Sequence, residues 1–422
     1  MPAMNFGWTK VQYVLVYAVV GAYLPYLPLL LGDRGVDEKG IGWILGIYGL
    51  VIAIMPLWTT YLADRHWSPR LLIAAGNLLT AAGALALIRA EGFWPLMAGC
   101  VIMYAGFAPL VNLIDGATFA AMARMERAGL QPPPYHTIRI WGSIGFMLPS
   151  VAIYALLQWG RMSNAIALWT AAVCAVLAAL ASRRLPGPDD THQLELIEAP
   201  TLAAARRVFS GSALSVIGPL FLMFVTVAAF YTFYPQYLRK LGIGEQWVGL
   251  IVNLGVVAEI ILMLASRRIL GRLGIRGIVL MGGAAIMLRM GLLGFWPNPH
   301  VAIWSQLLHA PIVMCLYLLP PIYLNHIAGG GGGGGGATHI RHSVQGLYGM
   351  LCFGAARLVG ATLSGYFATE ADLTPPFKLS AALALAAILW FAIGFRDESA
   401  CRAIRHAHRR PEPTTTTPVA EP

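Results

Sequence analysis

Residues 247–264 read WVGLIVNLGVVAEIILML, and this run decides the fold. It is long enough to cross hydrocarbon as a helix, which takes about 20 apolar residues, yet it carries Glu259 deep within it. The next apolar run, 280–295, carries Arg289, and the one after it carries His309. An unpaired charge in a bilayer costs several kcal/mol, so each of these groups needs a partner or a task. A carboxylate, a guanidinium and an imidazole on three consecutive membrane helices suit the coupling of a proton to a moving solute.

Runs of the same kind recur along the chain. The 422 residues are 58% hydrophobic and only 11% charged, a balance that excludes a water-soluble globular protein. Twelve spans are predicted, at 10–31, 40–61, 70–89, 95–121, 138–158, 163–182, 214–238, 247–266, 277–295, 300–325, 343–367 and 377–395, with ends good to about four residues. The expected fold is therefore all-α, with twelve transmembrane helices in two pseudo-symmetric six-helix bundles. The longest polar interruption holds Pro186-Gly-Pro-Asp-Asp190 and sets the division: bundles at 1–182 and 214–395, joined by a linker at 183–213. A short echo supports a repeat, with Leu62-Ala-Asp-Arg65 after the second helix answered by Leu264-Ala-Ser-Arg267 after the eighth. Repeated halves with a site at midplane between them are an architecture of alternating access.

Basic residues give the orientation, because cytoplasmic loops keep Lys and Arg. With the start of the chain inside, cytoplasmic segments hold 19 of the 29 Lys and Arg and the opposite face holds seven. The remaining three, Arg139, Arg289 and Arg357, fall within or at the edge of the membrane. The net charge of +10 is thus a topology signal and not a nucleic-acid footprint. Both termini are expected in the cytoplasm, in the cell (inner) membrane. Tyr13 to Leu31 lacks a small-residue cleavage site and reads as a membrane helix, not a cleaved signal. The five cysteines have no metal-type spacing. The octaglycine run at 329–336 reads as a flexible loop without the Gly-Lys-Ser or Gly-Lys-Thr of a phosphate cradle. The tail, 396–422, is expected to be disordered, with arginines able to touch anionic lipid.

Three motifs carry a family resemblance across nearly the whole chain. They are Gly21-Ala-Tyr-Leu-Pro-Tyr-Leu-Pro28 in helix one, Leu62-Ala-Asp-Arg65 with Arg70 in the loop after helix two, and Arg139-Ile-Trp-Gly-Ser-Ile-Gly-Phe146 opening helix five. The chain resembles the major facilitator superfamily, in the branch of lactose permease, nucleoside/proton symporters and phenylpropionate permeases. The resemblance implies substrate binding by Arg139 and stacking by Phe146. It matches Glu259, Arg289 and His309 to the carboxylate, arginine and histidine of substrate binding and proton coupling. The chain departs from lactose permease at Asn112, where a sugar-binding glutamate is expected, and at Ile312, where a proton-carrying glutamate is expected.

The residues allow a chemistry of their own. An arginine fork suits a carboxylate bidentately, so Arg139 or Arg289 could hold an anionic solute. Glu259 would carry the proton, its affinity switched by the approach or departure of Arg289, with His309 relaying. Asp115, one turn after Asn112, is a second carrier in the other half. Plainer readings stand beside these. Glu259 and Arg289 could be a structural pair, His309 could bond a backbone carbonyl, Arg139 could snorkel, and Phe146 could simply pack. Arg357 reads as a structural or gating residue, and Asp64 with Arg65 as a contact between helix ends. Gly142, Gly145, Gly354 and Gly360 would allow close helix contact, and Pro25, Pro28, Pro320 and Pro321 would bend their helices.

The expected function is proton-coupled symport of a small organic solute, best fitted by an aromatic or other small monocarboxylate. A nucleoside or sugar symporter is the alternative, and a non-transporting sensor or assembly factor is the alternative of another class. Enzymatic signatures are missing, and no cofactor or metal is called for. The partners expected are the solute, protons and the bilayer, with no nucleic acid, and the chain is expected to be a monomer.

Overall fold

A computed structural model describes residues 6–65, 67–160, 162–185, 202–328 and 343–395. Twelve helices are long and apolar enough to cross a membrane. They are α1 (Gly7–Asp33), α2 (Glu38–Pro56, continuing as helix to Arg65), α3 (Pro69–Arg89), α4 (Phe93–Arg127), α5 (Tyr135–Gln158), α6 (Ala165–Arg184), α7 (Gly211–Lys240), α8 (Glu245–Leu264), α9 (Arg268–Phe295), α10 (Pro299–Leu324), α11 (Ser343–Phe367) and α12 (Pro375–Gly394). The octaglycine run and the tail expected to be disordered lie outside the described residues, as do 186–201 of the linker. The described end of that linker is a short helix, Leu202–Val208.

Much of the surface is apolar. Leu264 and Ile393 are among many exposed aliphatic side chains, and exposed Trp8, Trp94, Trp159 and Trp296 cluster near helix ends, where indoles favour the membrane interface. Lipid solvates such a surface, so burial of apolar area does little to hold the helices together, and close packing through small residues does more. The crossing of α1 and α5 shows this. A Cβ on Gly145 would lie 2.2 Å from the carbonyl oxygen of Val14, and one on Gly21 would lie 2.0 Å from that of Phe146. The counterpart in the second bundle is α7 against α11, where a Cβ on Gly360 would lie 2.2 Å from the oxygen of Val225. The bundles meet through α2 with α11 and α5 with α8.

Proline accompanies three irregularities. α1 breaks between Tyr23 and Leu27, around Pro25, as expected. α4 breaks between Phe107 and Leu110, at Pro109, a bend absent from the sequence-based expectation. In α10 a wide π turn at Met314–Leu318 precedes Pro320 and Pro321; such rings crowd the carbonyl one turn back, and a widened turn relieves that. The motif Leu62–Arg65 does not lie in a loop, because it forms the last turn of the helix Glu38–Arg65. Nothing between Pro56 and Arg65 breaks a helix, and Pro69 starts the next. The side chains of Asp64 and Arg65, expected to join helix ends, lie outside the described residues.

Candidate functional site

The spacing of residues on one helix face builds the first half of the site. Arg139, Gly142, Gly145 and Phe146 share one face of α5, and the two glycines bring that face onto α1. Arg139 thereby reaches Tyr17, donating to its hydroxyl, with the guanidinium 4.3 Å from the centre of the Tyr17 ring. Asp115, on α4, accepts from the hydroxyls of Tyr13 on α1 and Tyr135 on α5, the latter at 2.8 Å. Thr118, one turn on, lies 3.5 Å from the Tyr13 hydroxyl. Asn112 is half-buried one turn before Asp115, and the Phe146 side chain is half-buried beside the α1 contact.

The second half is assembled by Gly255. A Cβ there would lie 3.0 Å from both the Gln306 side-chain oxygen and the His309 Cβ. Its absence lets α10 approach α8, and one turn further Glu259 meets His309, with Nε2 3.7 Å from a carboxylate oxygen. Both are partly exposed, at 20% and 15% of their side chains. Arg289 is only 2% exposed. It donates to Gln306 Oε1 at 2.6 Å and lies 3.7 Å from the centre of the Phe230 ring.

Among the described residues no ion pair joins Glu259 to Arg289, the pair the sequence suggested; their partners are His309 and Gln306. Arg139 and Glu259 lie on α5 and α8, which pack against each other from opposite bundles, while Arg289 bonds Gln306. Ile312, the position where the resemblance to lactose permease suggested a carboxylate, is buried. Arg357 lies between Tyr48 of α2 and Tyr231 of α7, with its guanidinium 4.8 and 5.7 Å from their ring centres.

Several participants carry no charge signal in the sequence and emerge only here. Tyr13 and Tyr17, and Phe230 and Tyr234, are aromatic pairs spaced one turn apart on α1 and α7, a signal that could have marked them. A further group joins the bundles at one end of the molecule. Arg239 bonds Asp33 at 2.6 Å and Glu245 at 2.9 Å, and Asn164 donates to both carboxylates at 2.8 and 2.7 Å. Gln236 donates to the Pro28 carbonyl at 3.0 Å, and Gln246 to Gln158 at 2.9 Å. This end is closed.

The known proteins that this chain is similar to include transporters. The model of the MFS_1 like family matches residues 7–379. A protein of Escherichia coli (strain K12) named "Probable 3-phenylpropionic acid transporter" is 26% identical over 77% of this chain and 83% of its own length. The xanthosine permease of the same organism is 23% identical over 94% of this chain and 97% of its own. Among solved structures, the nucleoside transporter NupG superposes with a TM-score of 0.76 at 18% identity, covering 92% of this chain and 98% of that one.

Proposed function

The chain belongs to the MFS_1 like family, and on that premise we propose that it is a proton-coupled symporter of a small aromatic or other monocarboxylate. It is a multi-pass membrane transporter of twelve spans. The observation that carries proton coupling is Glu259, which lies in the membrane with no hydrogen-bonding cation among the described residues and an imidazole 3.7 Å away. A carboxylate without a bonded counter-ion is costly in hydrocarbon, and a proton removes that cost. Glu259 takes a proton when the cleft is exposed to one side and yields it on the other as the field of Arg139, carried by the opposite bundle, changes with the relative position of the halves. His309 passes the proton. Asp115 and Arg289 hold the two half-sites in shape.

The solute class rests on the name of the phenylpropionate relative, on the three arginines of the membrane interior and on their aromatic surroundings. A nucleoside is the second reading, favoured by the xanthosine permease relative and by the tyrosine hydroxyls of the centre. The protein acts as a monomer in the inner membrane, with both termini in the cytoplasm. The clamp of Asp33, Arg239 and Glu245 then faces outward and closes the outer side. The test is alkalinisation of a lightly buffered suspension of expressing cells on addition of arylalkyl acids, nucleosides or sugars. Symport of an acid predicts a pH rise with the acids alone, absent in Glu259→Gln. A rise with nucleosides alone selects the second reading, and no rise with any compound overturns proton symport.

A further inference from the structure

Among the described residues, no hydrogen bond or ion pair reaches Arg357, whereas Arg139 bonds Tyr17 and Arg289 bonds Gln306. Its Nε is buried without an acceptor, and its terminal nitrogens are not. The terminal nitrogens of the fork are therefore accessible. Two aromatic faces flank it, Tyr48 from the first bundle and Tyr231 from the second. Cation–π contacts offset part of the cost of a charge in this setting, but a planar donor fork without an anion is incomplete.

Next to it stands a ready-made surface for a ring. Tyr317 of α10 stacks on Phe353 of α11, with centres 5.5 Å apart and planes 9° apart. Tyr317 is 42% exposed although the preceding Cys315 and Leu316 are buried. Phe224 of α7 meets the same Tyr317 ring edge-on, with centres 5.4 Å apart, so α7, α10 and α11 together hold it. By contrast, the guanidinium of Arg139 is covered by the ring of Tyr17 and bonded to its hydroxyl.

We propose that Arg357 is the receptor for the carboxylate of the solute, flanked by Tyr48 and Tyr231, with the Tyr317–Phe353 stack taking the solute's ring. This rests on the aromatic-acid reading above. It moves anion recognition from Arg139, where the resemblance placed it, to a residue read from sequence as structural or gating. Because Tyr48 and Arg357 belong to different bundles, a bound carboxylate also ties binding to the approach of the halves.

The test measures dissociation constants of 3-phenylpropionate, a panel of other arylalkyl acids and the uncharged 3-phenylpropionamide, on the full-length protein in proteoliposomes. Arg357→Gln is expected to weaken acid binding about 100-fold, with the amide changed less than about twofold. Arg357→Lys keeps a point charge without the fork and is expected to weaken the acid about tenfold. Tyr317→Ala is expected to weaken acid and amide alike. Acid affinity unchanged in Arg357→Gln overturns the assignment and leaves acid transport standing. If that variant does not fold, an unchanged acid-to-amide ratio in Arg357→Lys overturns it instead. Failure of the wild-type protein to bind any acid of the panel overturns the aromatic-acid reading, and this assignment with it.

Discussion

Asp115 and Glu259 are both acidic residues inside apolar helices, one in each bundle, and their surroundings differ. Asp115 accepts two phenolic hydrogen bonds, from α1 and from α5. Glu259 accepts none among the described residues, and its neighbour is an imidazole at 3.7 Å. A carboxylate whose lone pairs are filled by hydroxyl donors is stabilised as an anion and serves as an anchor. One with open lone pairs, a titratable neighbour and a cation on the moving half is free to change state. Partners, more than position in the chain, separate a fixed charge from a mobile one.

Variants can break or sharpen that contrast. The largest effect is expected where the halves are alike. Gly145→Val and Gly360→Val each force a side chain onto a backbone oxygen and should abolish accumulation of folded protein, judged by fluorescence-detected gel filtration. A loss in only one of them would mean the scaffold is as unequal as the site. Next comes Arg289→Ala, which strands Gln306 in a buried setting and should cost about 2–4 kcal/mol, read as a lowered Tm in detergent. Asp115→Asn keeps an oxygen acceptor and should cost about 1–2 kcal/mol, with Tyr135→Phe near ~1 kcal/mol. A drop in Tm for Asp115→Asn equal to that of Glu259→Gln would dissolve the distinction between anchor and carrier. The smallest effect belongs to the exposed clamp. Arg239→Gln should shift the balance between joined and parted bundles at that end by about 0.2–1 kcal/mol, seen as faster labelling of a cysteine introduced beside Asn164.

The twelve helices are legible in the sequence because apolar runs, arginine-rich loops and helix-breaking prolines act locally. Glu259, Arg289 and His309 are equally visible, as charges where hydrocarbon penalises them. Their pairing is not, because it depends on the rotation of each helix about its axis. Gly255 sets that rotation, admitting His309 to Glu259 and leaving Arg289 to Gln306. The clamp is hidden for a different reason. Arg239 reads as a loop charge, and its partner Asp33 lies 206 positions away in the chain. Tyrosine in an apolar helix carries no charge signal, so Tyr13, Tyr17 and Tyr135 do not stand out until the structure sets their hydroxyls on Asp115 and Arg139.

The central claim is that Glu259 moves the proton while Asp115 stays fixed. The most direct test compares Glu259→Gln with Asp115→Asn in proteoliposomes by two assays, solute counterflow and accumulation driven by an imposed proton gradient. Glutamine imitates the protonated, loaded form, so Glu259→Gln should keep counterflow and lose accumulation, while Asp115→Asn should keep both. Accumulation that survives in Glu259→Gln, or disappears only in Asp115→Asn, would contradict the account.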